Sequence, residues 1–228
     1  MLAFPLLVSM ASLLLEDTVP PAVSRPTPAE ALARATEAVR AIVPEATVAP
    51  VRSKNPHLDD WKIERPLDGW HFHTAIVGQS FVAPLRKFVA VEPDGTVRYP
   101  FTGDDLAKLL AAHDKSDWKD EDYVNAAILH VHLTSVANED GWKVLRKPED
   151  FLAITFNMPK AGPAVAARAQ AAERITAPAV ARENAAIVVT LQAWHLIGGE
   201  LKKWTVEFGE NVAAKAEPLG QFGGGGYD

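Results

Sequence analysis

The sequence predicts an α+β protein of two small units, each with helices packed on an antiparallel sheet. Three observations carry that expectation. Amphipathic helical runs alternate with β-branched and aromatic segments, Asp-Gly and Gly-Gly turns separate the latter, and the 228-residue length allows one large or two small cores. Hydrophobic residues make up 48% and charged residues 23% of the chain, the balance of a folding and not a disordered sequence.

Residues 1–26 read as an apolar leader and a proline-rich tether. Leu2 to Leu15 are nearly all apolar, yet too few for the ~20 residues of a spanning helix, so no stable membrane span is expected. The run has the length of a signal-peptide core, and Pro20, Pro21, Pro26 and Pro28 follow it. Export to the periplasm or the extracellular space is the expectation, with Ala22-Val23-Ser24 as the cleavage candidate. Against it, no Lys or Arg precedes the run and Glu16-Asp17 follow at once, which leaves a cytoplasmic location as the alternative.

The first unit spans 27–101. Thr27-Pro28-Ala29-Glu30 supplies a hydroxyl N-cap, a first-turn proline and the capping-box glutamate, after which Leu32, Ala35, Val39, Ile42 and Val43 recur at helical spacing up to Pro44. Strands are expected at Trp61 to Glu64, Trp70 to Val77, Arg86 to Glu92 and Thr96 to Tyr99. Leu67-Asp68-Gly69 and Pro93-Asp94-Gly95 are the hairpin turns.

The second unit spans 102–219. Thr102-Gly103-Asp104-Asp105 caps a helix to about His113, and a longer helix runs from about Lys119 to Ala137 with Asp120, Glu121 and Asp122 favouring its N-terminal dipole. Val124, Ala127, Ile128 and Val131 mark its buried face, while Leu129 and Leu133 hint that the far side is covered too. A strand at Phe151 to Phe156, an Ala-rich helix from Pro163 to about Ile175, strands at Ala185 to Ile197 and Glu200 to Phe208 joined by a Gly198-Gly199 hairpin, and a short strand near Val212 to Ala216 complete it. Residues 220–228, with Gly223 to Gly226, read as a flexible tail, since no lysine or helix follows to make a phosphate loop.

The element order of 27–101 resembles a cystatin-like or PepSY-like unit, one Ala-rich helix across a curled sheet with a Pro-Asp-Gly turn. That of 102–219 is similar to the NTF2-like arrangement of helices, strand, helix and further strands around a conical cavity. The likeness implies shape and transfers no catalytic residue, because NTF2-like proteins include hydrolases, isomerases and plain binding modules.

Several function classes are excluded. Without cysteine there are no disulfides, thiol nucleophiles or thiolate metal sites, and with a formal charge of −6 and no basic stripe, nucleic acid is an unlikely partner. No cofactor is expected. Asp114 to Asp122 contains no glycine for a calcium loop, and neither HExxH nor GxSxG occurs.

What remains are histidines and tryptophans. His71 and His73, two apart on a strand, point to one side and are a weak candidate metal pair; polar positions on an exposed strand are the preferred reading. His130 and His132 lie ~200° apart on a helix and cannot share an ion. His195 continues the apolar face of Ile187, Val189 and Leu191. A general base drawn from His195 or His130 is the catalytic alternative, with a backbone-bonded rim histidine preferred for His195. Trp194, beside Gln192 and Thr190 on the opposite face, is expected to be exposed, so Trp194, Gln192 and Trp204 are the candidate contact residues. The function expected is therefore non-catalytic binding of a small molecule or protein, with a small hydrolase or isomerase as the alternative.

Overall fold

A computed structural model describes residues 24–50, 67–77, 85–135, 142–147, 149–151, 163–183, 186–195 and 199–222. The leader and most of the tether, the strand expected at Trp61 to Glu64, and the glycines 223–226 lie outside the described residues.

The protein is α+β. Helix α1 (Pro28–Arg40) is followed by β1 (Thr47–Pro50), β2 (His71–Val77), β3 (Leu85–Val91) and β4 (Val97–Phe101), which form an antiparallel sheet in the order β1-β2-β3-β4. The capping box of α1 forms as its sequence dictates. The backbone N–H of Glu30 donates to Thr27 Oγ1 at 3.3 Å, and the N–H of Thr27 donates to Glu30 Oε2 at 2.7 Å. We expect Thr27→Ala to cost ~1 kcal/mol, the usual value of a hydroxyl N-cap, and to lower the midpoint of thermal unfolding by about 2–4 °C. A differential scanning calorimetry midpoint that does not move would show that the box does not support the helix.

Ala31, Ala35 and Val39 are the fully buried residues of α1, and they pack with Ala75, Val89 and Val91 on one face of the sheet. Small side chains bring the helix close to the strands. Ile42, expected on this face, lies beyond the helix end and is 66% exposed. Gly69 and Gly95 both adopt positive φ in the expected turns, and a Cβ at Gly95 would run into the Arg34 guanidinium, which instead donates to the Gly95 carbonyl.

β4 runs to Phe101, and Thr102 at once caps α2 (Gly103–Ala112) through a reciprocal pair with Asp105. Helix α3 (Asp120–Ser135) follows, then β5 (Trp142–Leu145), α4 (Pro163–Ala172), β6 (Ala179–Glu183), β7 (Ala186–His195), β8 (Glu200–Phe208) and β9 (Val212–Gln221). The second sheet has the order β5-β7-β8-β9, with β6 also paired to β7 along the edge that β5 uses.

The main core lies between the two sheets. Phe72, Phe88, Ala90 and Phe101 of the first sheet, Leu106 and Leu110 of α2, much of α3, and Val189, Leu191, Val206 and Phe208 of the second sheet form one cluster. α3 touches both sides, with His132 edge-on to Phe88 of β3 and Tyr123 edge-on to Phe208 of β8. Tyr123, Ala126 to Val131 and Leu133 are all buried. The single buried face expected from Val124, Ala127, Ile128 and Val131 is thus widened to the whole circumference, as befits a helix with sheets on opposite sides.

Further differences have local causes. β1, β5 and β6 are short, and β1 ends in a proline, which an edge strand tolerates. Phe151 lies in a helical segment described at 149–151 and is not the start of a strand, while 152–156 lie outside the described residues. β9 continues past Ala216 to Gln221 because Pro218 sits on an edge strand at a register shift, where its missing N–H is harmless. Gly220 and Gln221, assigned to the tail, therefore belong to the sheet, and Phe222 is buried behind it.

Candidate functional site

His71 and His73 share the α1-facing side of β2, as period-two geometry requires: they pair with Val91 and Val89 of β3, which belong to the cluster under α1. Their roles then diverge. His71 Nε2 lies 3.1 Å from the carbonyl of Pro26, and since a carbonyl only accepts, the ring donates. His73 is 3% exposed, so the exposed-strand expectation fails for it because α1 covers the position. Neither of its ring nitrogens has a hydrogen-bond partner among the described residues. Burial, reinforced by the neighbouring His71, pushes its pKa down to about 4, and the ring is neutral near pH 7. Among the described residues no group of three or more His, Asp or Glu gathers that could hold a metal ion.

His130 and His132 diverge as the helix demands. His130 is buried, and burial lowers its pKa against the weaker opposing pull of Asp104 at the start of α2. His132 is half-buried against Phe88. His195 closes β7, half-buried, on the side of Leu191 and Ala193, and its carbonyl accepts the N–H of Gly199 across the hairpin at 2.9 Å.

Trp194 is not an exposed indole. It is fully buried in a separate core behind the second sheet, with Leu145, Phe151, Ala171, Ile175, Leu201 and Phe222. The Phe151 ring meets it edge-on, 4.9 Å between centroids. Gln192 is also buried: its Oε1 accepts the N–H of Thr176 at 2.8 Å and its Nε2 donates to the carbonyl of Arg174 at 2.9 Å. Both contact candidates are overturned for one reason. The outer face of β7 is roofed by α4 and the segment after it, and Gln192 fastens that roof. Trp204 differs, lying partly buried on the inner face between Leu191 and Ala216, with its indole Nε1 buried and lacking a partner among the described residues.

One concavity that the described residues form lies elsewhere. A cleft of about 390 Å³ opens between α2 and the turn joining β8 to β9. Ala107, Ala111 and Val212 make its apolar floor, and Lys108, Glu210 and Asn211 its polar rim. Val212 is placed by pairing with Phe208, and the α2 alanines by the reciprocal Thr102–Asp105 cap that starts the helix. Sequence reasoning missed this place because its walls are separated by about a hundred residues and include nothing chemically conspicuous.

Among the described residues no helix is long and apolar enough to cross a membrane. No family model, curated protein or solved structure matches the chain, so its chemistry is read from its own residues.

Proposed function

We propose that this protein is a non-catalytic binding module that takes a small molecule in the cleft between α2 and the β8–β9 turn. The cleft carries the proposal: it is an open concavity, and an apolar floor under a few orienting polar groups is the composition small-molecule sites have. Lys108 and Glu210, of opposite sign at one rim, suit a ligand with an apolar body and a polar or zwitterionic end. The burial of His130 supports the non-catalytic reading, since a general base must reach substrate, directly or through one water.

Ligand-observed NMR with a library of small amphiphilic acids, amines and amino acids tests this. Hits are expected on the wild type, and Ala111→Trp, which fills the floor, should abolish them while the variant still unfolds cooperatively, at a midpoint lowered by the overpacking of a half-buried position. Lys108→Ala should weaken hits that carry an anionic end by about 3- to 10-fold. An absence of hits, or hits that survive Ala111→Trp, would refute the cleft as the site.

A further inference from the structure

We propose that α1 is an acid-released cover on the first sheet, lifted from β1 to β4 when His73 takes up a proton, while the core around α3 stays folded. The device is separate from the α2 cleft. α1 packs on these four strands, and none of its residues enters the main core, which takes in the other face of the sheet, α2, α3 and the second sheet. Its own cluster is small. Ala31, Ala35 and Val39 are the fully buried side chains it contributes, against Ala46, Ala75, Val89 and Val91, so little apolar area opposes its departure. The polar fastenings lie at its margins: Arg25 pairs with Asp68 where both side chains are exposed, the Pro26 carbonyl accepts from His71, and Arg34 reaches the Gly95 carbonyl at 3.4 Å. Exposed ion pairs of this kind contribute little. A segment with few buried contacts and a cluster of its own is the kind that opens without the rest.

His73 sits inside that seam with nowhere to put a charge. It is buried opposite Pro50 of β1 and Val89 of β3, and both ring nitrogens lack a hydrogen-bond partner among the described residues. The groups around it offer no anion. On its own strand the titratable neighbour on this side is His71, whose charge repels; on β3 it is Lys87, by alternation from Val89, and on β4 Tyr99, packed in the same cluster. β1 carries no titratable side chain, and Glu30, Arg34, Glu37 and Arg40 of α1 are all exposed. An imidazolium formed here is uncompensated, and burial together with His71 holds the ring's pKa at about 4. With α1 off, the ring meets water and titrates near its ordinary 6.5. Below that value the open state binds a proton that the closed state refuses, so acid favours opening down to about pH 4. Global unfolding relieves the same ring, but it must also break the larger core, which release of α1 leaves whole.

Hydrogen exchange of the full chain tests this, resolved by NMR at pH 7.5 and 4.5, corrected for intrinsic rates, and repeated in urea below the unfolding transition. Amides of 32–40 are expected to open more readily than those of 124–133 in α3 at both pH values, and with a weaker urea dependence. Their opening constant should rise about 50- to 100-fold on acidification. His73→Leu should cut that rise to less than about tenfold. Ala33→Gly, at an exposed position in the middle of the helix, should raise α1 opening about fivefold at both pH values and leave α3 unchanged. One opening constant and one urea dependence shared by α1 and α3 would overturn the proposal, as would a rise in His73→Leu equal to that of the wild type. Should His73→Leu not fold, the other two chains decide alone: a wild-type rise below about fivefold, or α3 loosening as much as α1 in Ala33→Gly, refutes the release.

Discussion

Trp194→Ala is expected to cost ~3–5 kcal/mol, the range for deleting a large aromatic from a packed core. The indole is fully buried between β7, Phe151 and Phe222, and the surrounding cluster is held by α4 on one side and the sheet on the other. It has little room to collapse into the void. Against a total stability of ~5–15 kcal/mol, such a loss shifts the urea midpoint by a large fraction of its value. Trp194→Phe should cost much less, because most of the apolar area is kept and a buried Nε1 with no partner among the described residues is removed. Urea titrations followed by circular dichroism give both numbers. A loss below about 1 kcal/mol for the alanine variant would place the indole at a solvated surface, as its strand position alone suggests.

Acidification from pH 6.5 to 4 is expected to remove about 3 kcal/mol of stability through His73 alone. In the unfolded chain this imidazole titrates near its ordinary 6.5, whereas in the folded chain burial holds it at about 4. Between those values the unfolded state binds a proton that the folded state refuses, so stability falls with pH by about 1.4 kcal/mol per unit and levels off below the folded value. His130, also depressed by burial, adds a loss of the same sign. The carboxylates with lowered pKa, such as Asp94, Asp105 and Glu217, contribute only below about their unfolded values near 4, which leaves the window from 6.5 to 4.5 to the histidines. His73→Leu should flatten most of the slope in that window and be neutral or mildly stabilising at pH 8, where only the unpaired ring nitrogens are lost. Equal slopes for wild type and variant in denaturant titrations at pH 7, 6, 5 and 4.5 would contradict the buried, neutral ring.

Features written in consecutive residues were legible in the sequence. The Thr27 and Thr102 caps, the Gly69 and Gly95 turns, and the shared face of Val189, Leu191, Val206 and Phe208 all follow from spacing and stereochemistry. What failed depends on partners far along the chain. Strand alternation put Trp194 on the side away from Leu191 correctly, but it could not reveal that Phe151, Ala171 and Phe222 would cover that side. His73 looked like a polar position on a free face until α1, over thirty residues earlier, lay across it. β1, β5 and β6 hold four or five residues each and owe their extended form to pairing with longer strands, which their own composition hardly signals.

The position of α3 between the sheets also sets an order of events during synthesis. Once Phe101 has been made, α1 can cover one side of the first sheet, but Leu67, Phe72, Phe88 and Phe101 on the other side must wait for residues up to Leu133. At ~5–20 residues per second the ribosome takes about 2–6 s to add that stretch of about thirty residues, and the exit tunnel lengthens the wait. For those seconds the nascent chain presents a row of phenylalanines with nothing to receive them. A first sheet formed that early would keep this apolar face open until its central helix emerges.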